Sequence, residues 1–433
     1  MRAIGKVRLR LPYWPREGYL VGGAVRDLYY RLSPTDLDFL VPDPAAEAAR
    51  AASALGGAVV PLKESVVRVN TGTLVLDFAP LPEEGLFADL SRRDYTVNAL
   101  AASGSGAVFG LPPAAHDLEH RVLRAISYTA FEADPLRSLR GVRLWTTHGL
   151  RPEPTTWRWI QRHAHALRFG KKPAWERVFD EFKKILQSPH AAFGVQKLRE
   201  SGLLAAYLPE LANAKDVPQG GYHHTDVFGH TLEALAYLTE AFPQSPLSLR
   251  LAVLLHDLAK PLVRQWDENR DYWRFFYHDE DGAWLARAVL RRLRAGKALE
   301  ERVFALIRHH MKTPPESERA LRRWVYRYRG LLPDLLLLQI ADRAASRGPR
   351  ANPEEVHRLK RTLHRVQQIL KTLPEKPLLS GREIIALLGI EPGPRVGEAQ
   401  RALLLAQAEG RVRSHEEAKI FLLWWYEAKA QDA

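Results

Sequence analysis

Residues 19–41 read YLVGGAVRDLYYRLSPTDLDFLV and hold paired acids and paired glycines at spacings that suit phosphate chemistry. Asp36 and Asp38 alternate with Leu37 and Phe39 at the start of an apolar run. That alternation predicts a strand, on which residues i and i+2 share a face, so both carboxylates project together. Two oxygen ligands on one rigid face suit Mg2+, which keeps waters and takes one or two carboxylates plus substrate phosphates. Gly22 and Gly23 follow a shorter apolar run and allow backbone N–H groups to cradle a phosphate. Arg26 and Asp27 come next, on what reads as a short helix. The chemistry this points to is nucleotidyl transfer from a nucleoside triphosphate with two-metal assistance.

Three later stretches carry related residue types. In TLVLDFAPL, residues 73–81, Asp77 interrupts an apolar, β-branched run. An acid inside a strand is costly unless it is paired or bound to a metal, and we read Asp77 as a third carboxylate beside Asp36 and Asp38. In FADLSRRDYTVNALAA, residues 87–102, Arg93 suits bidentate phosphate contacts and Asn98 offers both a donor and an acceptor. In FEADPLRSLRGVRLW, residues 131–145, Asp134 and Arg137 stand at i, i+3, a helical spacing that predicts a shared face. Arg140 and Arg143 continue that face in steps of three. In WERVFDEFKKIL, residues 175–186, Arg177 and Glu181 at i, i+4 read as structural.

Together these blocks resemble the catalytic head of class II RNA nucleotidyltransferases. That family holds the tRNA CCA-adding enzymes and bacterial poly(A) polymerases of the DNA polymerase beta superfamily. The resemblance implies catalytic roles for Asp36, Asp38 and Asp77, with Mg2+ on the first two. It implies nucleotide binding by Gly22, Gly23, Arg26, Asp27, Arg93, Asp94, Asn98, Asp134, Arg137, Arg140 and Arg143. Asp134 and Arg137 match the family's protein template, which reads the Watson–Crick edge of CTP or ATP; its first acid is replaced here by Ala133. The implied partners are CTP, ATP and the acceptor arm of tRNA, and the implied product is CCA, CC, A alone or poly(A). Fourteen residues separate Asp77 from Arg92, where full CCA-adding members often carry a longer flexible segment, so CC addition is the preferred expectation.

The middle of the chain carries a second set. His230, the pair His256–Asp257 after an apolar helix, His278, the pair His309–His310, and Asp342 follow one another through otherwise helical sequence. They resemble an HD-superfamily metal phosphohydrolase. His230, His256, Asp257 and Asp342 match its first metal set, and His278 and His310 match the extra histidines of its two-metal variety. Imidazole with carboxylate suits Mn, Fe, Co, Ni or Zn better than Ca. The implied reaction is hydrolysis of phosphomonoesters or 2′,3′-cyclic phosphates.

The elements that must position these residues change along the chain. Short apolar runs at 18–22, 37–41, 66–69 and 73–79 alternate with helical patterns, predicting a mixed sheet with helices on one side. Beyond about residue 125 nearly every segment reads as helix. The expected fold is α+β, a polymerase-beta-like head followed by helical domains. Its divisions are 1–125 head, 126–215 neck with the base-reading residues, 216–350 HD domain and 351–433 body and tail. Junctions are expected at 170–173, 216–224 and 346–355, where Gly, Pro and Asn collect.

Composition narrows the partners. The formal net charge of +13 favours a polyanion, and RNA suits better than an anionic membrane. No apolar run reaches transmembrane length, and the N-terminus lacks a signal-peptide core, so a cytoplasmic location is expected. The absence of cysteine excludes disulfides and thiolate zinc sites. Basic stretches at 291–294, 319–329 and 357–365, the second interleaved with Trp324, Tyr326 and Tyr328, are candidate RNA contacts. Toward the end, Ser380 with Glu383 three residues on predicts a capping box. A hydrolase with a non-catalytic RNA-binding head, and a non-enzymatic RNA chaperone, are the other classes this pattern admits.

Overall fold

The computed structural model describes residues 3–8, 11–62, 65–170 and 172–431. Lys171, inside the junction expected at 170–173, lies outside the described residues. The chain divides into two compact units, Met1–Pro209 and Glu210–Ala433.

The first unit is built on one mixed sheet. Its strands are β1 (Gly5–Lys6), β2 (Tyr19–Val21), β3 (Asp36–Val41), β4 (Ala58–Pro61), β5 (Val67–Asn70), β6 (Val75–Pro80), β7 (Leu100–Ala102) and β8 (Ala107–Gly110). Their order is β1-β8-β7-β2-β3-β6-β5-β4. Only the central β3–β6 pair in this sheet is parallel, with Asp38 opposite Asp77. The apolar runs of the sequence correspond to β2, β3, β5 and β6. The four strands they did not mark are β1, β4, β7 and β8, each two to four residues long and made largely of Gly, Ala and Val. Such pieces are too short for alternation to show.

Strand β3 explains how the acids are held. Leu37, Phe39 and Val41 are buried on one face, and the Phe39 ring stacks on Phe78 of β6 with centroids 5.4 Å apart. Trp14 and Tyr13 close over these rings edge-on at 5.7 and 6.1 Å. The opposite face carries Asp36 and Asp38 in the open and buries Leu40 against Val21, Leu90, Ala99 and Ala101. A one-residue slip would exchange the acids with the core, so the buried face fixes the register.

Helices follow from similar arguments. Helix α1 (Gly23–Tyr29) starts directly after Gly22. Helices α2 (Pro44–Leu55), α3 (Leu86–Ser91), α4 (Ala114–Glu119) and α5 (Thr129–Ala133) lead to α6 (Leu136–His148). Later, α7 (Pro154–Phe169) and α8 (Trp175–Gln187) bury apolar stripes, that of α8 being Val178, Phe179, Phe182, Ile185 and Leu186.

The second unit is helical, apart from one hairpin, Arg264–Asp267 paired with Tyr272–Phe275, that the sequence pattern did not reveal. The capping box forms: Ser380 Oγ accepts from Glu383 N at 3.3 Å, and Ser380 N donates to Glu383 Oε2 at 2.8 Å. In the basic stretch 319–329, Arg319 donates to the buried Glu409 at 3.0 Å and Arg323 also donates to it. Trp324 is mostly buried. These two arginines therefore tie helix Glu318–Tyr328 to the end of helix Pro394–Ala408, with both side chains still more than half exposed. Among the described residues, no helix is long and apolar enough to cross a membrane.

Because Phe39 and Phe78 both lie within 1 % of full burial, Phe78→Ala should cost about 3–5 kcal/mol of stability. Urea unfolding of the purified chain measures this.

Candidate functional site

A cleft of about 440 Å³ opens over the acid-bearing face of the sheet in the first unit. It is lined by Asp36 and Asp38, by Gly23, Arg26, Arg93, Asp94 and Asn98, and by Arg137, Arg140 and Arg143 of α6 with Glu181 and Lys184 of α8. Asp38 is exposed at the cleft floor but crowded by the lining, whose desolvation raises its carboxyl; Arg93 opposes the shift, and the nearby Asp77 and Asp36 add to it. Gly22 adopts φ +80°, and a Cβ there would lie 2.6 Å from Arg93 Nη1 and 3.5 Å from Asp38 Oδ2. Glycine is required both for the backbone and for the room that Arg93 takes beside Asp38.

Behind the cleft runs a chain of buried charge. Arg26 donates to Asp27 Oδ1 at 2.9 and 2.6 Å and to Asn98 Oδ1. Asn98 Nδ2 donates to Asp94 Oδ1 at 2.9 Å, and Arg140 Nη1 donates to Asp94 Oδ2 at 2.8 Å. Arg140 and Arg143 both donate to Glu181. Burial alone would raise Asp94, but Arg140 and Asn98 outweigh it and hold its carboxyl below the usual range. Among the described residues, Arg137 and Lys184 have no carboxylate within 4.0 Å, unlike Arg140 and Arg143. Their positive charge is therefore available to a ligand in the cleft.

Asp77 stands opposite Asp38 in the parallel β3–β6 pair and therefore on the same face of the sheet, as expected of an acid beside Asp36 and Asp38. Arg68, its cross-strand partner on β5, binds both of its carboxylate oxygens at 2.7 Å, which offsets the cost of an acid in the strand. Two expectations are corrected. Asp134 and Arg137 do not share a helical face. Pro135 follows Asp134 and disfavours helical backbone at it, so Asp134 is extended (φ −140°, ψ 99°) between α5 and α6. Its carboxylate accepts from Arg177 at 2.8 Å. Asp27 turns away from the cleft lining to Arg26 and to His148 Nε2 at 3.1 Å. Glu181, read as structural, lines the cleft and anchors two arginines, and Lys184, on the same helix, went unmarked because a lysine in an amphipathic helix carries no distinctive pattern.

The second cluster lies wholly in the second unit. His230, on helix Val227–Ala241, and His256 and Asp257, after helix Leu247–Leu255, are buried and within 4.8 Å of one another through their ligand atoms. Asp257, His278 and His310 form a second such group sharing Asp257. Asp342 joins the first, its Oδ1 lying 3.0 Å from His230 Nε2 and 3.8 Å from His256 Nε2. His309 lies outside the cluster, its ring 5.2 Å from that of Tyr328.

Three of the imidazoles are aimed in the same way. His256, His278 and His310 place Nδ1 at 2.8, 2.7 and 2.7 Å from the carbonyl oxygens of Val253, Phe275 and Ile307, each three residues earlier. A proton on Nδ1 donated to that carbonyl leaves each Nε2 lone pair pointing into the cluster. Burial, aided by the charges of His256 and His278, pushes His310 down to about 3, so it is neutral, as a ligand must be. Burial would raise Asp257, but His256 and Lys260 hold it well below the carboxylate range. The donor set fits a divalent cation: His256 Nε2 is buried without a hydrogen-bond partner and lies 3.1 Å from Asp257 Oδ2. Ligands about 2.1 Å from one ion stand roughly that far from each other. Lys260 Nζ, 2.7 Å from Asp257 Oδ2 and 2.6 Å from Gln219 Oε1, was missed, as was His223, whose Nδ1 is 3.2 Å from His230 Nδ1. The signals were present at 256–260 (HDLAK) and 222–230 (YHHTDVFGH).

The family model described as "Probable RNA and SrmB- binding site of polymerase A" matches residues 149–215, and the model described as "HD domain" matches 227–346. The chain is 47 % identical, over 95 % of its length and 94 % of the relative's, to a CC-adding tRNA nucleotidyltransferase of Thermus thermophilus. It is 43 % identical, over 96 % of its length and 97 % of the relative's, to an A-adding tRNA nucleotidyltransferase of Deinococcus radiodurans. Among solved structures, it is similar to the Bacillus stearothermophilus CCA-adding enzyme in complex with CTP, with TM-score 0.64 and 20 % identity over 96 % of this chain and 95 % of that one. It is also similar to the Thermotoga maritima CCA-adding enzyme with tRNA, with TM-score 0.58 and 22 % identity over 94 % and 91 %. These likenesses establish the fold.

Two outcomes follow from the buried charges. Glu181→Ala leaves Arg143 without its carboxylate partner and should cost about 3 kcal/mol, read by urea unfolding. His256→Ala should lower divalent-metal retention after gel filtration by at least roughly tenfold, measured by elemental analysis, while circular dichroism stays native.

Proposed function

The chain belongs to the tRNA nucleotidyltransferase family, and from that premise we propose that it adds CMP to the 3′ end of tRNA as a CC-adding enzyme. Family membership carries the general reaction, transfer of CMP or AMP from CTP or ATP to the tRNA 3′ end. The finer reading rests on one observation. Strand β6 ends at Pro80 and α3 begins at Leu86, leaving residues 81–85 between them. Gly85 N donates to Pro82 O at 2.9 Å, so this connection is a tight turn. It gives no long flexible segment with which to switch from C to A.

In this reading Asp36 and Asp38 hold Mg2+, which, when bound, neutralises triphosphate charge and activates the attacking hydroxyl. Arg93, held beside Gly22, and Arg137 and Lys184 take phosphate charge. Asn98, oriented by Asp94 and Arg26, addresses the ribose. Asp134 and Arg137 read the base when a nucleotide draws Asp134 away from Arg177. The tRNA 3′-hydroxyl attacks the α-phosphorus in line, and pyrophosphate leaves. Basic surfaces of the helical units receive the acceptor arm, and the protein acts in the cytoplasm.

The HD cluster holds a transition metal, Mn, Ni, Co, Fe or Zn, which supplies a water of lowered pKa to a phosphate. Its substrates are phosphomonoesters or 2′,3′-cyclic phosphates at RNA ends. The complete, correctly aimed ligand set favours activity over a degenerate fold.

The deciding assay presents a tRNA lacking CCA, one ending in CC and one complete, with labelled CTP or ATP and Mg2+. Two C additions and no A are expected; A added only to the CC-ended tRNA overturns the CC assignment in favour of A addition. Asp38→Asn should lower transfer by at least roughly a thousandfold, the several kcal/mol that metal charge supplies, with tRNA binding retained. Asp257→Ala should remove phosphate release from a 3′-phosphorylated RNA.

A further inference from the structure

The metal cluster of the second unit opens into a cleft of about 520 Å³, within the range of small-ligand sites. One wall comes from the hairpin Arg264–Asp267/Tyr272–Phe275, inserted between the short helix Lys260–Val263, which follows Asp257, and the helix that begins at His278. The hairpin forms a sheet of only two strands, which is marginal alone in water. It is nonetheless loaded with rings. Tyr272, Trp273, Phe275 and Phe276 all line the cleft beside His278, His310 and Asp257. Phe276 is 44 % exposed and Trp266, facing Trp273 across the ribbon, is 47 % exposed.

Cations sit on these rings. Arg264 stands 5.2 Å from the Trp273 ring centre, Arg274 stands 4.1 Å from that of Phe276, and Arg350, across the cleft, stands 4.9 Å from that of Tyr272. Arg343 and Lys260 also line the cleft. Interleaved rings and cations beside a phosphate-directed metal cluster match single-stranded nucleic acid, whose bases stack and whose phosphates take the charge. An apolar peptide would not call for this density of positive charge.

We propose that this hairpin is a base-stacking platform that seats the terminal nucleotide of a single-stranded RNA 3′ end, with the end phosphate directed at the HD cluster. The platform rests on the HD reading for its reaction but not for its binding. Trp273 and Phe276 supply the stacking faces, and Arg343 and Arg350 meet the phosphates on the 5′ side.

The test uses the full chain and two short oligoribonucleotides with a 3′-phosphate, identical except that one ends in adenosine and the other in an abasic ribose. Binding is read by fluorescence anisotropy, and phosphate release is read with Mn2+, Ni2+ or Co2+. The parent protein should prefer the base-bearing end by roughly tenfold to a hundredfold, the range of one base–aromatic stack. Trp273→Ala should reduce that preference to near unity, and Trp273→Tyr, which keeps a stacking face, should retain most of it. Equal binding of both ends by the parent, or an undiminished preference in Trp273→Ala, overturns the platform. If Trp273→Ala fails to fold, loss of the preference in Trp273→Tyr overturns it in the same way. A parent that shows the preference but releases no phosphate with any metal overturns the hydrolase reading and leaves the platform standing. Phosphate release at equal rates without a binding preference does the reverse.

Discussion

The arrangement of the head depends on one constraint: a cleft meant for a triphosphate must hold many cations before the anion arrives. Unpaired buried cations would be expensive, so most are already tied to acids. Asp94 is the hub of that arrangement. It accepts from Asn98, from Arg140 and from its neighbour's backbone, Tyr95 N, at 2.8 Å. Arg26 on α1, Asn98 after α3, Arg140 and Arg143 on α6, and Glu181 on α8 are thereby linked across four segments distant in sequence. Tyr95 adds a purely structural tie, donating its hydroxyl to Arg137 O at 2.7 Å. The positions of Arg137 and Lys184 are set by neighbours whose charges are spent on one another. Rigid, pre-paired walls with a few uncommitted cations are a suitable receptor for an incoming polyanion.

The metal cluster of the second unit solves a different problem by related means. There the ligands come from helix ends, and each imidazole could rotate or take the wrong tautomer. Three of them hold Nδ1 against the carbonyl three residues back, so the local backbone that places each ring also selects its tautomer. The remaining charge balance is set by Lys260, which stands against Asp257 while Gln219 accepts from it. Removing that cation would leave Asp257 facing only imidazoles and whatever ion they hold.

What the sequence disclosed follows from range. The alternation D-L-D-F announced β3 and the shared face of its acids because alternation is a local property. The HD residues were legible because their types and order are unusual in helices. Pairing partners were not legible. Arg68 claims Asp77 only because β5 and β6 run antiparallel in one register, and Arg177 claims Asp134 across forty-three residues. The failed helical face at Asp134 was a local error: Pro135 was in view, and its effect on the preceding residue outranks i, i+3 spacing. The hairpin at 264–275 was hidden for another reason. Its rings and arginines cover no core, so they produce no alternation of buried and exposed types.

The two sites also differ in ligand chemistry. Asp36 and Asp38 offer only oxygen, on a strand whose spacing leaves room for waters and substrate phosphates, which suits a small hard cation. The HD cluster offers four imidazoles with two carboxylates in a buried setting, which suits borderline transition ions. The two donor sets therefore rank divalent ions differently. The same contrast runs through the surroundings. The head surrounds its acids with arginines for a polyanionic substrate, whereas the HD cleft places aromatic rings beside its ligands. A cleft lined by guanidinium groups selects for charge, and one lined by rings with scattered cations selects for a base joined to a phosphate.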